Sequence, residues 1–180
     1  MQFFYYALFT AAIVAADQFT KYLTVANIPL YADVPFIPGL LLLTLVQNTG
    51  AAFSSFEGQQ WLFALIFVVF TVAILYEYKK KAMPFTNLER WLIAAIYAGC
   101  LGNMIDRVRL GYVVDMIETT FIDFPVFNVA DIFITCGCIA MMLHLIFFNK
   151  DFWKEEKKCP CMLSSPANGW MPSWPGAPTT

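Results

Sequence analysis

The sequence contains a single histidine, His144, among its 180 residues. A Ser-His-Asp arrangement needs a histidine beside its nucleophile, and a histidine-based zinc site needs more than one. His144 lies near the end of a long apolar stretch, away from the other polar motifs. The sequence also has no Gly-rich phosphate loop of the Walker type. This inventory argues against a Ser-His-Asp arrangement, a histidine-based zinc site and a Walker-type phosphate site.

Charged residues are scarce as well. They make up 13% of the chain, whereas 59% of the residues are hydrophobic and the mean hydropathy is +0.62. These values lie well outside the averages of soluble proteins. The basic residues form two local clusters instead of a continuous patch beside exposed aromatics, which argues against a nucleic-acid partner. The composition therefore predicts an integral membrane protein.

Four stretches are long and apolar enough to cross a hydrocarbon layer of about 30 Å, which takes about 17 to 25 helical residues. They cover roughly residues 4–25, 61–78, 91–105 with its flanks, and 129–148. The first stretch begins without Lys or Arg and is not followed by a small-residue cleavage site, so it is predicted to be a retained span. The predicted fold is mostly α, with four transmembrane helices in one domain over residues 1–150.

The orientation follows from the basic residues, which are retained on the cytoplasmic side of span ends. The connection 26–60 has no Lys or Arg, and the connection 106–128 has only Arg107 and Arg109. Eight of the eleven basic residues lie in the connection 77–90 and after the fourth span: Lys79, Lys80, Lys81, Arg90, Lys150, Lys154, Lys157 and Lys158. Both termini are therefore predicted to be cytoplasmic, with the loops at 26–60 and 106–128 facing outward.

The first outward loop has features of a small sheet. Prolines and Gly39 punctuate the apolar run 40–46, which is predicted to be a strand. A second short strand is predicted over 51–56, after the turn at Asn48 and Gly50, so that a small β-sheet lies on the outer face. The segment 151–180, rich in Pro, Ser and Gly, is predicted to be a disordered cytoplasmic tail.

Asp17 and Lys21 lie in the first span, four residues apart and therefore on the same helix face. A charge inside a span costs about 2.5 to 3.5 kcal/mol on insertion scales, so these side chains are expected to face the protein interior or a wet cavity. They either take part in function or form an ion pair that fixes helix packing or reaches the outer surface.

Three polar segments, 102–107, 111–115 and 124–131, run from the end of the third span to the start of the fourth. They contain three aspartates and two asparagines: Asn103, Asp106, Asp115, Asn128 and Asp131. Asp106 has Arg107 beside it and Arg109 nearby, so it is interpreted as a structural member of an ion pair with a basic residue that folding brings near. Asp115 and Asp131 have no basic residue close in sequence. Asp115 follows the β-prone segment 112–114, and Asp131 enters the fourth span behind Asn128, which can cap that helix.

Asp115 and Asp131 are sixteen positions apart with Pro125 between them, so only folding back of the chain can bring them together. Two neighbouring, partly desolvated carboxylates share a proton, which is the working state of an aspartyl protease. The alternative is structural: Asp131 is a first-turn charge favoured by the helix dipole, and Asp115 is a turn residue. Spacing alone leaves both possibilities open.

Five blocks carry a resemblance to a known family. They are Asp17-Gln18-Phe19-Thr20-Lys21, Asn48-Thr49-Gly50-Ala51-Ala52-Phe53, Gly102-Asn103-Met104-Ile105-Asp106-Arg107, Gly111-Tyr112-Val113-Val114-Asp115 and Phe127-Asn128-Val129-Ala130-Asp131. In this order they resemble the bacterial lipoprotein signal peptidases, the signal peptidase II family. Two features depart from the family pattern: Met116, where a Phe commonly follows the aspartate, and the Pro-rich tail.

The resemblance implies an aspartyl endopeptidase of the bacterial inner membrane, facing the periplasm, that cleaves prolipoproteins before their diacylglyceryl-modified cysteine. It implies Asp115 and Asp131 as the catalytic pair, with no metal or cofactor. It also implies inhibition by globomycin-type cyclic peptides. The chain is further expected to contact membrane lipid and to be a monomer. The residues implied to bind substrate or support the site are Asp17, Lys21, Asn48, Gly50, Gly102, Asn103, Asp106, Arg107, Asn128 and Ala130.

Two other classes of protein are compatible with a hydrophobic chain. A small proton- or cation-coupled transporter would use intramembrane carboxylates, and it predicts a polar path through the spans. The stretch 61–76 has no ionisable residue, which argues against such a path. A non-catalytic membrane scaffold would explain the hydrophobicity but leaves the Asp and Asn clusters without a purpose.

Overall fold

The computed structural model describes residues 2–50, 60–149 and 152. The predicted strand at 51–56 and nearly all of the predicted tail lie outside these residues. The described chain forms four helices, α1 (Gln2–Asn27), α2 (Gln60–Lys80), α3 (Asn87–Leu110) and α4 (Val129–Phe147). It also forms three strands, β1 (Val34–Ile37), β2 (Leu41–Asn48) and β3 (Val113–Thr119).

The four helices match the four predicted apolar stretches in order and place. Three of them, α1, α2 and α4, are long and apolar enough to cross a membrane. The helix α3 falls outside that group because charged residues lie near both of its ends: Glu89, Arg90, Asp106, Arg107 and Arg109. That α3 also spans the membrane stays a prediction.

The helix α3 is the centre of the fold, since it packs against α1, α2 and α4. Its buried face carries mainly small residues, among them Ala95, Ala98 and Gly99. Small residues let neighbouring backbones approach closely, which is how helices pack in lipid. A Cβ atom at Gly99 would lie 2.5 Å from the backbone oxygen of Ala130, so α3 and α4 touch there without room for a side chain.

The predicted small sheet is present, and its partners come from both connections. The strand predicted over 40–46 is confirmed as β2, which extends two residues further to Asn48. The order is β1-β2-β3, all antiparallel, with Val46 opposite Asp115 and Asn48 opposite Val113. The second connection therefore contributes the strand beside β2, which periodicity within the first connection could not predict.

The predicted loop 106–128 begins too early in the sequence. The helix α3 continues through Arg107 to Leu110 and ends at Gly111, whose φ of +81° is the left-handed conformation that glycine adopts easily. The helix continues past residue 105 because Asp106 and Arg107 have polar partners inside the protein, so their polarity does not end it.

The chain returns from β3 to the start of α4 through a short backbone contact. The amide of Phe127 donates to the oxygen of Ile117 at 3.0 Å, and the amide of Ile117 donates to the oxygen of Phe127 at 2.8 Å. Asn128 follows immediately as the N-cap of α4. This return brings the start of α4 against β3.

Candidate active site

Asp115 is the third residue of β3 and is almost fully buried, with 2% of its surface exposed. Its Oδ1 accepts a hydrogen bond from Asn128 Nδ2 at 2.7 Å, and its Oδ2 accepts one from Asn48 Nδ2 at 2.9 Å. The structural alternative that made Asp115 a turn residue is wrong, because β3 pairs with β2 on both sides of it.

The electrostatic environment of Asp115 disfavours its ionised form. Burial raises the pKa of Asp115 to about 6, and the neighbouring negative charge of Asp131 acts in the same direction. The amide donors of Asn48 and Asn128 stabilise the carboxylate and oppose this rise in the pKa. A carboxyl group with such a pKa changes its protonation state within the physiological range.

Asp131 occupies the third position of α4 and caps the helix as well as facing the site. Its Oδ2 accepts a hydrogen bond from the backbone amide of Asn128 at 3.1 Å, which completes a capping box. Its Oδ1 accepts one from Asn103 Nδ2 at 2.7 Å. Asp131 is therefore a first-turn residue of α4, as the structural alternative predicted. The same carboxylate also lines a cavity together with Asp115.

Asn128 connects the surroundings of the two carboxylates. It is fully buried, its Nδ2 donates to Asp115, and its Oδ1 accepts from the backbone amide of Asp131 at 3.0 Å. The same Nδ2 lies 3.1 Å from Asn103 Oδ1. One amide side chain therefore sets the position of both Asp115 and the first turn of α4.

Lys21 is the buried cation behind this pair. Its Nζ lies 2.9 Å from Asp17 Oδ2, 2.8 Å from Asp106 Oδ2 and 2.9 Å from Asn103 Oδ1. The pairing of Asp17 with Lys21 is confirmed, but the idea that it reaches the outer surface is wrong, since Lys21 is only 3% exposed. A buried lysine with two carboxylates and an amide oxygen has its charge and its donors satisfied.

Asp106 forms an ion pair, as predicted, and the basic residue that folding brings near it is Lys21 of α1. Arg107 points elsewhere: its Nη2 donates to the backbone oxygen of Gly50 at 2.8 Å, and its guanidinium lies 4.1 Å from the ring centroid of Phe63. Successive residues on an α-helix point about 100° apart, and Arg107 is accordingly directed away from Lys21, the partner of Asp106.

Two predicted site residues, Ala130 and Gly102, contribute through the backbone and not through a side chain. The amide of Ala130 donates to Asp17 Oδ1 at 3.0 Å, which ties α4 to α1. A Cβ atom at Gly102 would lie 2.6 Å from Asp17 Oδ2, so only glycine permits this approach of α1 to α3.

Two glutamines belong to the network and were absent from the predicted set. Gln18 Nε2 donates to Asp106 Oδ1 at 2.9 Å, and a polar residue inside an apolar span was a signal that could have found it. Gln60 Nε2 donates to the backbone oxygens of Thr49 at 3.1 Å and Gly111 at 2.9 Å. Gln60 could not be found in this way, because it lies at the edge of its span and not inside it.

A cavity of about 870 Å³ opens in front of the two carboxylates. Its polar end is formed by Asp115, Asp131, Asn48, Asn103 and Arg107, and its remaining lining is mainly apolar side chains of α2, α4 and the segment before Asn128. The predicted residues Asp17, Lys21, Gly102, Asp106, Asn128 and Ala130 are not part of this lining and support it from behind.

His144 lies at the opposite end of α3 and α4. Its Nδ1 is 2.8 Å from Oε1 of the buried Glu89, and Asn149 Nδ2 donates to both oxygens of that carboxylate. The sequence prediction that the histidine is remote from the polar motifs is confirmed, and the site contains carboxylates, amides and one guanidinium instead.

The transporter alternative finds no support in the described helices. Between Trp61 and Tyr76 of α2 the only hydroxyl group belongs to Thr71, and it donates to the backbone oxygen of Phe67 within its own helix. The polar network lies where α3 ends and α4 begins, and it does not continue along α2.

Known proteins share this fold. Two solved structures, both described as bacterial membrane enzymes determined by the in meso method, match with TM-scores of 0.75 and 0.71 at 34% and 35% identity. They cover 85% and 79% of this chain, and 93% of their own chains in each case. The class of protein is therefore a bacterial membrane enzyme.

The sequence comparisons narrow this class. The family model described as signal peptidase (SPase) II matches residues 9–147. A lipoprotein signal peptidase of Enterococcus faecalis is 46% identical over 149 residues, covering 81% of this chain and 89% of the relative. One of Streptococcus agalactiae is 44% identical over 153 residues, covering 83% and 92%. The chain belongs to the signal peptidase II family, and it is a peptidase.

Proposed function

We propose that this chain is an aspartic endopeptidase that removes the signal peptide from prolipoproteins by cleaving on the N-terminal side of a diacylglyceryl-modified cysteine. The observation that carries the proposal is that Asp115 and Asp131 line one cavity, and that N–H donors hold both oxygens of each carboxylate. The names of the relatives supply the substrate class, and the chemistry of the two carboxylates supplies the reaction.

The reaction uses the two carboxyl groups in opposite protonation states. The ionised carboxylate takes a proton from a water molecule, and the resulting oxygen attacks the scissile carbonyl carbon while the protonated carboxyl donates to the carbonyl oxygen. The tetrahedral intermediate then collapses and the C–N bond breaks. The leaving amine takes the proton that the first carboxyl received from water, and one hydroxyl of the intermediate returns its proton to the other carboxylate. The raised pKa of Asp115, about 6, suits this chemistry because it brings protonation of the pair closer to neutral pH.

The supporting residues maintain the pair in this state. Asn48 and Asn128 orient Asp115, Asn103 and the amide of Asn128 orient Asp131, and Lys21 holds Asn103 in place. Arg107 fixes the turn after β2 through Gly50, so that Asn48 stays directed at Asp115. No metal and no cofactor takes part in the proposed reaction.

The proposed setting is the bacterial inner membrane, with the carboxylates toward the periplasm and both termini in the cytoplasm. The enzyme is proposed to act as a monomer, to contact membrane lipid, and to be inhibited by cyclic peptides of the globomycin type that fill the cavity. The distribution of Lys and Arg described above supports the orientation.

The proposal is tested with the purified full-length chain and a diacylglyceryl-modified prolipopeptide. We expect Asp115→Asn and Asp131→Asn each to lower kcat by about 10²- to 10⁴-fold, because each removes one partner in acid–base catalysis. The matched control is Asp33→Asn, which changes an exposed aspartate of the first connection and is expected to retain activity. Undiminished cleavage by either dyad variant contradicts the proposal, and so does cleavage at a position other than the modified cysteine.

A further inference from the structure

One face of α2 forms an apolar wall of the cavity. Phe63, Ile66, Phe67 and Phe70 line it, and their spacing of three and four residues places them on the same side of the helix. We call these four residues the α2 wall. The helix α2 is a candidate membrane span, and from Phe63 to Phe70 the wall extends by seven residues, or about 10 Å. The wall therefore leads from the polar end of the cavity to membrane depth.

The rings of the α2 wall are held in place by α3. Phe67 stacks on Tyr97 with ring centroids 5.5 Å apart and an interplanar angle of 17°, and Phe70 lies 6.1 Å from the same ring. At the near end, Arg107 lies over Phe63. A wall anchored at both ends has a defined length, so it can discriminate between ligands that differ in length.

The lining beyond Arg107 suits a hydrocarbon better than a peptide. Facing the α2 wall lie Cys100, Ile134, Thr135 and Cys136, which offer one hydroxyl and two thiols and no charged group. An extended peptide backbone at this depth needs partners for its N–H and C=O groups, and leaving them unpaired is energetically unfavourable. An acyl chain needs no such partners and gains from burial of every methylene group.

We propose that the α2 wall binds an acyl chain of the diacylglyceryl group, and that Phe70, backed by Tyr97, limits the chain length that the enzyme accepts. This inference rests on the proposed function, since it takes a lipid-modified prolipoprotein as the substrate. The acyl chain follows the wall away from the carboxylates and ends at Phe70.

The experiment compares substrates that share one peptide sequence and differ only in acyl-chain length. The full-length enzyme is placed in lipid nanodiscs, and kcat/KM is measured for the graded series of chain lengths. Full burial of one methylene changes an equilibrium constant by about fourfold, so kcat/KM of the wild type is expected to rise with length up to a limit. We expect Phe70→Ala to move this limit to longer chains and Phe70→Trp to move it to shorter ones, with the long-to-short activity ratio changing about tenfold.

Matched controls alter the opposite face of the same helix. Leu65→Ala and Val69→Trp change exposed residues outside the cavity lining, and they are expected to leave the length profile of the wild type unchanged. Because each profile is a ratio within one variant, a difference in the amount of folded enzyme does not affect it. Should Phe70→Ala fail to fold, Phe67→Leu tests the same wall with a smaller loss of volume.

The outcomes separate this inference from the proposed function. If the wild type does not cleave the substrate, or if Asp115→Asn cleaves it equally well, the proposed function itself fails. If cleavage depends on Asp115 but the length profile is the same in all Phe70 variants, only the inference is overturned. A changed preference for side chains in the signal sequence, with an unchanged acyl profile, assigns the wall to the peptide and also overturns it.

Discussion

At the scale of single residues, Asp115 shows how two opposing effects set one protonation equilibrium. Burial raises its pKa to about 6, while the amide groups of Asn48 and Asn128 donate to its two oxygens and stabilise the ionised form. Asn48 reaches Asp115 from β2, the neighbouring strand, so its contribution can be removed without changing β3 or α4.

The predicted consequence is a shift in the pH dependence of activity. Asn48→Ala removes a donor that favours the carboxylate, so the pKa of Asp115 rises above about 6. The limb of the kcat/KM profile that reports Asp115 then moves to higher pH, whether this group acts as the acid or as the base. The measurement is the pH profile of kcat/KM for the wild type and the variant.

The control for this shift is Asn27→Ala. Asn27 is exposed, and its side chain donates only within α1, to the backbone oxygen of Leu23 at 2.7 Å. Its profile is expected to match that of the wild type. A limb that stays in place in Asn48→Ala would show that Asn48 does not act on Asp115.

At the scale of elements, the helix α3 carries most of the site and most of the packing. Asn103 and Asp106 point toward α1 and α4 from its C-terminal half, and small residues earlier in the helix let α4 lie close. Such close contact is typical of helices in lipid, where packing and not hydrophobic exclusion holds them together. The position of Asp131 at the start of α4 therefore depends on the contact between α3 and α4.

Gly99 and Gly137 lie at this contact, and we predict different losses of stability when each is changed to alanine. In Gly99→Ala the new Cβ would meet the backbone oxygen of Ala130 at 2.5 Å, so the first turn of α4 must move. In Gly137→Ala it would meet only a side-chain carbon of Ile96 at 2.7 Å, which can change its rotamer. We expect Gly99→Ala to cost about 1 to 3 kcal/mol of stability and Gly137→Ala clearly less.

Activity is expected to follow the same order. Ala130 precedes Asp131, the proposed catalytic residue, and a displacement of about 1 Å in a catalytic group can reduce the rate about 10²-fold. Thermal unfolding in detergent and kcat for the two variants are the measurements. Equal losses in both variants would mean that the contact at Ala130 does not position the site.

At the scale of the whole molecule, polar groups gather at both ends of the helices and serve different purposes. The end where α3 meets β3 and α4 holds the carboxylates, and its Arg107 is bound to Gly50 and Phe63. The other end, where α2 meets α3, carries the exposed lysines Lys79 and Lys80. This asymmetry is the basis for predicting which end faces the cytoplasm.

The predicted orientation is tested by labelling single cysteines from outside the cell. In a background where the five native cysteines are replaced by serine, Asp123→Cys lies in the second connection and Lys80→Cys lies at the end of α2. We expect a membrane-impermeant maleimide to label Asp123→Cys in intact spheroplasts and Lys80→Cys only after permeabilisation. The reverse pattern would overturn the orientation.

The sequence by itself determined the features that depend on near neighbours along the chain. The apolar lengths predicted all four helices, an apolar run bounded by turn residues predicted β2, and the four-residue spacing predicted the contact of Asp17 with Lys21. The five motif blocks also predicted the family. Predictions from local spacing agree with the folded structure because helix and strand geometry repeats over a few residues.

Only the tertiary structure decided which distant groups meet. It identified Lys21 of α1 as the cation that pairs with Asp106, and it placed Asn128 at Asp115 while Asn128 still caps α4. It also joined β2 to β3 from the second connection. The physical reason is that a buried charge or amide takes the partner that helix packing brings within hydrogen-bonding distance, and the separation of two residues along the chain does not reveal that distance.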